Sequence, residues 1–130
     1  MSVLALWTLT VLAMTGFRRV WAVRQGRVRP GAFRLGEAPD VPPDVTVVNR
    51  NFMNLLEAPV LFYVVGLAFY VTHRTTPGVL TLAWIYVGLR LLHSLIHLTW
   101  NHIVSRLLAF VASNLVLASL WIALIRRVAL

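Results

Sequence analysis

The side chains in this sequence that could do chemistry are a few polar residues set inside otherwise apolar stretches. Arg50, Asn54 and Glu57 recur at i, i+4 and i+7, a spacing that puts all three on one face of a helix. Arg90, His93 and His97 follow at i, i+3 and i+7 in the next stretch, with Tyr86 one turn earlier and Asn101 one turn later. Arg106 opens the last stretch. Ionisable groups at membrane depth cost from about 2.5 kcal/mol upward each, so those that persist face a bundle interior and mark a site. Glu57 is the one carboxylate inside an apolar run, and it is expected to pair with Arg90 or Arg50, because a buried carboxylate without a cation takes up a proton. Arg50, Arg90 and Arg106 against Glu57 leave positive charge over. That surplus suits an anionic small molecule whose carboxylates are gripped in forked geometry.

Four apolar runs must position these groups, at about 2–23, 47–72, 77–100 and 106–125. Of the 130 residues, 59% are hydrophobic and only 12% charged, more apolar surface than a soluble domain of this size can hide. Each run reaches the roughly 20 residues that a bilayer-crossing helix needs. Strands of a membrane barrel would alternate, whereas Val60–Val71 is apolar on both sides. The expected fold is all-α, one domain over residues 1–130: an integral membrane four-helix bundle, up-down and antiparallel. Its long connection, about 24–45, is basic first and then acidic and proline-rich, with Pro42 and Pro43 expected to stiffen the return to the membrane. Pro59 should kink or loosen the second helix beside the polar stripe.

The net charge of +8 comes from twelve arginines and no lysine. Arg18, Arg19, Arg24, Arg27, Arg29 and Arg34 gather around the long loop, which the positive-inside rule assigns to the cytoplasm. Both termini then lie outside, where Arg126 and Arg127 weaken the bias without reversing it. The first run has no basic residue ahead of it, as expected of a retained anchor rather than a cleaved leader. This placement favours orientation and contact with anionic membrane lipids, and no nucleic-acid partner is expected. Without cysteine there is no thiolate nucleophile or zinc–thiolate site. His93 and His97 have ligand spacing, but with neither thiolates nor a neighbouring carboxylate they are expected to form hydrogen bonds, and no metal is expected. Trp7, Trp21, Trp84, Trp100 and Trp121 are expected as interfacial anchors.

The set Arg50-x-x-x-Asn54-x-x-Glu57, followed by Pro59 and Leu61-Phe62-Tyr63, resembles the second-helix signature of the MAPEG family, the membrane-associated proteins of eicosanoid and glutathione metabolism. Arg27-x-Arg29-x-x-Ala32-Phe33 is similar to the basic motif after that family's first helix, and Arg90-x-x-His93 and Arg106 resemble its third- and fourth-helix positions. The similarity covers nearly the whole chain and points to a bacterial-type member, in an inner membrane, resembling the microsomal glutathione transferases. It implies a homotrimer with glutathione, as co-substrate, at the cytoplasmic side of each subunit interface. Arg50, Asn54, Glu57, Arg90, His93 and Arg106 are then glutathione-site candidates, with Arg27 supplied by the neighbouring subunit. Glu57 would take the ammonium or a backbone amide and the arginines the carboxylates. His97 stands where active members often carry a tyrosine, and is a further candidate donor. Met53, Ala58 and Phe110 also depart from the family's basic or tyrosine residues.

The resemblance further implies that Arg106 is the catalytic group, stabilising the thiolate of glutathione against an ordinary thiol pKa of about 8.5. The thiolate would attack a small apolar electrophile arriving from the bilayer, or reduce a lipid hydroperoxide. Transferase or peroxidase chemistry is the leading expectation. The alternative is a non-catalytic MAPEG-like protein that binds lipid or another anionic metabolite, since a fold does not by itself confer activity.

Overall fold

The computed structural model describes residues 1–34 and 36–128. Four long helices account for most of them: α1 (Ser2–Arg24), α2 (Pro43–Val71), α3 (Pro77–Leu98) and α4 (Ile103–Val128), with one 3-10 turn at Pro30–Phe33 between α1 and α2. Each is long and apolar enough to cross a membrane, and there is no strand among the described residues. The expected all-α four-helix bundle is what the chain forms.

The helix ends differ from expectation for local reasons. Pro42 is extended (φ −57°, ψ 142°) and Pro43 takes the first helical position, where a missing N–H goes unmissed because no carbonyl waits for it. Asp44 follows in the first turn, where the helix dipole favours a negative charge. The two prolines therefore start α2 four residues before the expected 47, rather than merely stiffening the loop. Helix α4 likewise begins at Ile103, not 106, because His102 Nδ1 accepts the Ser105 N–H at 3.3 Å and caps the added turn. Arg106 thus lies inside the first helical turns of α4 rather than at its mouth.

The core runs the length of the bundle through Leu4 and Val11 of α1, Phe62 and Val65 of α2, Tyr86 of α3 and Leu120 of α4. Outside, large side chains such as Leu6, Leu67, Trp84 and Leu108 are more than half exposed, as a lipid solvent allows. One polar joint crosses the interior. Ser94 Oγ accepts from Asn51 Nδ2 at 2.7 Å and from Trp7 Nε1 at 2.8 Å, tying α1, α2 and α3 at a single atom. Trp7 is therefore an internal strut and not the interfacial anchor expected of it, while Trp84 and Trp100 do point outward.

The α1–α2 loop folds back on the bundle instead of hanging free. Val28 and Val41 pack with Ala22 and Val45. Arg27 grips Asp44 at 2.6 Å, Arg18 reaches the same carboxylate at 3.4 Å, and Arg19 meets Glu37 at 3.5 Å. The hydrogen bonds that Arg27 donates to the Asp44 carboxylate hold its guanidinium above its usual pKa, so the loop arginine stays charged.

Candidate functional site

At one end of the bundle this loop and the α3–α4 turn both border an open cleft of ≈ 620 Å³. One wall is α2, which presents Arg50, Met53, Asn54 and Glu57 on successive turns; the others are Glu37 and Pro39 of the loop, His97 of α3, Asn101 of the turn and Arg106 of α4. Five expected site residues, Arg50, Asn54, Glu57, His97 and Arg106, are thereby brought together. His97 is 2% exposed, whereas Arg50 and Glu57 open onto the outer face of the chain. A second cavity, ≈ 300 Å³ and lined by Phe62, Phe69, Trp84 and Leu120 among others, is almost wholly apolar.

Arg106 is held from two sides. Its Nη1 donates to Asn101 Oδ1 at 2.7 Å, and its backbone carbonyl lies 3.0 Å from His93 Nδ1. A carbonyl can only accept, so Nδ1 must carry the His93 hydrogen. His93 is 4% exposed and does not line the cavity; it acts on the site through the α4 backbone.

Arg90 departs furthest from expectation. It is fully buried, with Nε donating to Tyr86 Oη at 3.1 Å and Nη2 to Asn114 Oδ1 at 2.9 Å. Its guanidinium carbon lies 5.1 Å from the Phe110 ring centroid and 5.5 Å from that of Tyr86, within the range of cation–π attraction. Neither Arg90 nor Arg50 forms an ion pair with Glu57, and all three ion pairs among the described residues lie around the α1–α2 connection. Arg27 is likewise engaged by Asp44 and stands apart from the cavity wall. Asn114 was not anticipated. The available signal was a lone amide in the apolar run of α4, one that a buried arginine on the neighbouring helix would need.

The wall thus carries two arginines, of which Arg50 has no protein partner among the described residues, and one carboxylate, Glu57, that no cation engages. The wall's other carboxylate, Glu37, is already met by Arg19. Such a surface can receive carboxylates on Arg50, an ammonium or amide on Glu57, and a developing negative charge on Arg106. Asn54 and His97 add hydrogen-bonding groups; Nδ1 of His97 is buried without a partner among the described residues.

Comparison with known proteins agrees with this architecture. A profile of the MAPEG family matches residues 1–126 of the 130. No curated protein and no solved structure matches the chain. With the match spanning all four helices and every wall residue of the cavity, this integral membrane protein belongs to the MAPEG family.

Proposed function

We propose that the protein is a membrane-embedded, glutathione-dependent transferase or peroxidase that acts on apolar electrophiles or lipid hydroperoxides. The observation that carries this is the convergence of Arg50, Asn54, Glu57, His97 and Arg106 on one cavity at one end of a membrane-spanning bundle. Glutathione has two carboxylates, one ammonium group and one thiol, and the wall offers a complementary charge for one carboxylate, for the ammonium and for the thiolate. Arg50 takes a carboxylate, Glu57 the ammonium, and Arg106 the thiol sulfur, where a guanidinium favours the thiolate. In the transferase reaction the sulfur lone pair forms a bond to the electrophilic carbon as the leaving group departs with its bonding pair. In the peroxidase reaction the thiolate sulfur bonds to the terminal peroxide oxygen as the O–O bond breaks, giving glutathione sulfenic acid and an alkoxide that takes up the proton lost by the thiol; a second glutathione thiol then attacks the sulfenic sulfur and releases water and the disulfide.

Arg50 and Glu57 also bear on assembly. Both are exposed on a helix that crosses the membrane, where a charge facing hydrocarbon is penalised, by about 2.5 kcal/mol or more at the bilayer centre and less toward the helix end. A homotrimer closes this face with a second copy of the chain and makes each cavity a shared one. The positive-inside rule supports a cytoplasmic side for the arginine-rich loop and for the cavity beside it.

Titration of purified protein with glutathione tests the proposal, because a ligand that binds only the native state raises thermal stability. Stabilisation by millimolar glutathione, with conjugation of an aryl halide that Arg106→Ala abolishes, is the expected result. No stabilisation would overturn it. Stabilisation without turnover of aryl halides or hydroperoxides would leave a binding protein in place of an enzyme.

A further inference from the structure

The turn between α3 and α4 contains a residue whose geometry is specified beyond what a connection needs. Asn101 has φ +46°, the left-handed region that asparagine and glycine tolerate and most residues avoid. Its N–H donates to the Ile96 carbonyl at 2.8 Å, which fastens the turn to the end of α3. Its side chain points the other way and accepts from Arg106 Nη1 at 2.7 Å. Immediately after it, His102 caps α4 through Ser105 N–H, so the turn is fixed on both flanks.

The partner that Arg106 takes is chemically informative. Glu37 and Glu57 line the same cavity, yet neither forms an ion pair with Arg106 among the described residues. An amide oxygen orients a guanidinium and leaves its positive charge whole; a carboxylate in the same place would orient it equally well and cancel the charge. His93 in turn fixes the Arg106 backbone at 3.0 Å. The guanidinium is therefore aimed by one uncharged amide of the α3–α4 turn, while a second link, from α3, fixes the backbone that carries it.

We propose that Asn101 is the positioning residue of this site, a neutral clamp that aims the Arg106 guanidinium into the cavity while sparing its charge for the thiolate. The proposal rests on the glutathione reading above, and its test is chosen to stand apart from it. Asn101→Gly keeps the left-handed turn and removes the acceptor; Asn101→Asp keeps acceptor and turn and adds the cancelling charge. Three readouts separate the roles: turnover kinetics, the ultraviolet absorbance of enzyme-bound thiolate against pH, and the ¹⁵N resonances of the Arg106 guanidinium in ligand-free protein, assigned with Arg106→Lys.

In Asn101→Gly, kcat is expected to fall about 10- to 100-fold with the glutathione dissociation constant changed less than about threefold. The bound thiol should titrate closer to its free value of about 8.5, and the Arg106 Nη signals should average by rotation. In Asn101→Asp the Arg106 signals should stay restrained while kcat and the thiol titration still suffer. Wild-type kinetics and thiol titration in either variant would overturn the proposal, as would unchanged Arg106 signals in Asn101→Gly. Should Asn101→Gly fail to fold, Asn101→Asp decides on its own. Should wild-type protein bind no glutathione, the functional reading falls, and the guanidinium resonances still report whether Asn101 restrains Arg106.

Discussion

Arg50 and Arg90 are the same residue type in adjacent helices, and their surroundings assign them opposite roles. Arg50 is exposed at the cavity with no ion pair among the described residues, so its removal should cost the fold little and the ligand much. Arg50→Ala is expected to weaken glutathione binding by about 10- to 100-fold, the worth of a charge-assisted hydrogen bond, with the melting temperature nearly unchanged. Arg90 is fully buried against Tyr86, Asn114 and Phe110. Arg90→Met strands the Tyr86 hydroxyl and the Asn114 carbonyl and should lose about 2–4 kcal/mol of stability, read by denaturant or thermal unfolding in detergent. A large affinity loss with no stability change in Arg90→Met would contradict this assignment. The sequence spacing showed that Arg90, His93 and His97 share a face of α3, and they do. It did not show their depth: seven residues at a 1.5 Å rise put Arg90 about 10 Å farther along the axis than His97. At that depth α4 covers the face with Phe110 and Asn114, whereas at His97 the face opens to the cavity. Which partner covers which turn depends on how two helices pack, and spacing along one of them carries no such information.

At the scale of elements, the apolar runs located all four helices, and the errors fell at ends governed by single residues. A proline read as a loop stiffener is equally able to occupy a first helical position, and only the extended conformation of Pro42 decides between the two. The joint at Ser94 was illegible for a different reason, since a serine in an apolar helix does not say which helix it faces. Because Trp7 and Asn51 both donate to its oxygen, Ser94→Ala should disconnect α1 and α2 from α3 at once. Interhelical hydrogen bonds in membranes average well under 2 kcal/mol each, so a loss of about 1–3 kcal/mol is expected, with red-shifted Trp7 emission as the local signature. The loop clamp is weaker. Arg27 and Asp44 are both more than a third exposed, so Asp44→Asn should cost less than about 1 kcal/mol. Its visible effect should be local, as faster tryptic cleavage at Arg24 or Arg27; unchanged cleavage would mean that the apolar packing of Val28 and Val41 alone holds the loop.

At the scale of the whole molecule, the decisive surface is the outward stripe of α2. Arg50, Met53, Glu57, Val60, Val64, Leu67 and Val71 recur every three or four residues and are all exposed in the single chain. Its apolar half would be content in lipid; its charged half would not, and the two halves are one continuous face. If a second copy of the chain covers the charged half, helical continuity brings the apolar half of the same stripe close to that copy as well. The chain has no cysteine, so a cysteine introduced at Val64 is unique and reports that proximity without background. Under mild oxidation in the membrane, Val64→Cys is expected to form disulfide-linked dimers if this stripe faces the threefold axis, where equivalent residues of neighbouring copies meet. Three copies around a threefold axis can join only two cysteines at a time, so linked dimers and an unlinked remainder of about one third should appear together at completion. Trimers under crosslinkers of lysine-independent chemistry, with wild-type glutathione binding retained, would fit the shared cavity. A chain that stays monomeric in the membrane and binds glutathione with full affinity would show instead that Arg50 and Glu57 complete the site without a neighbour.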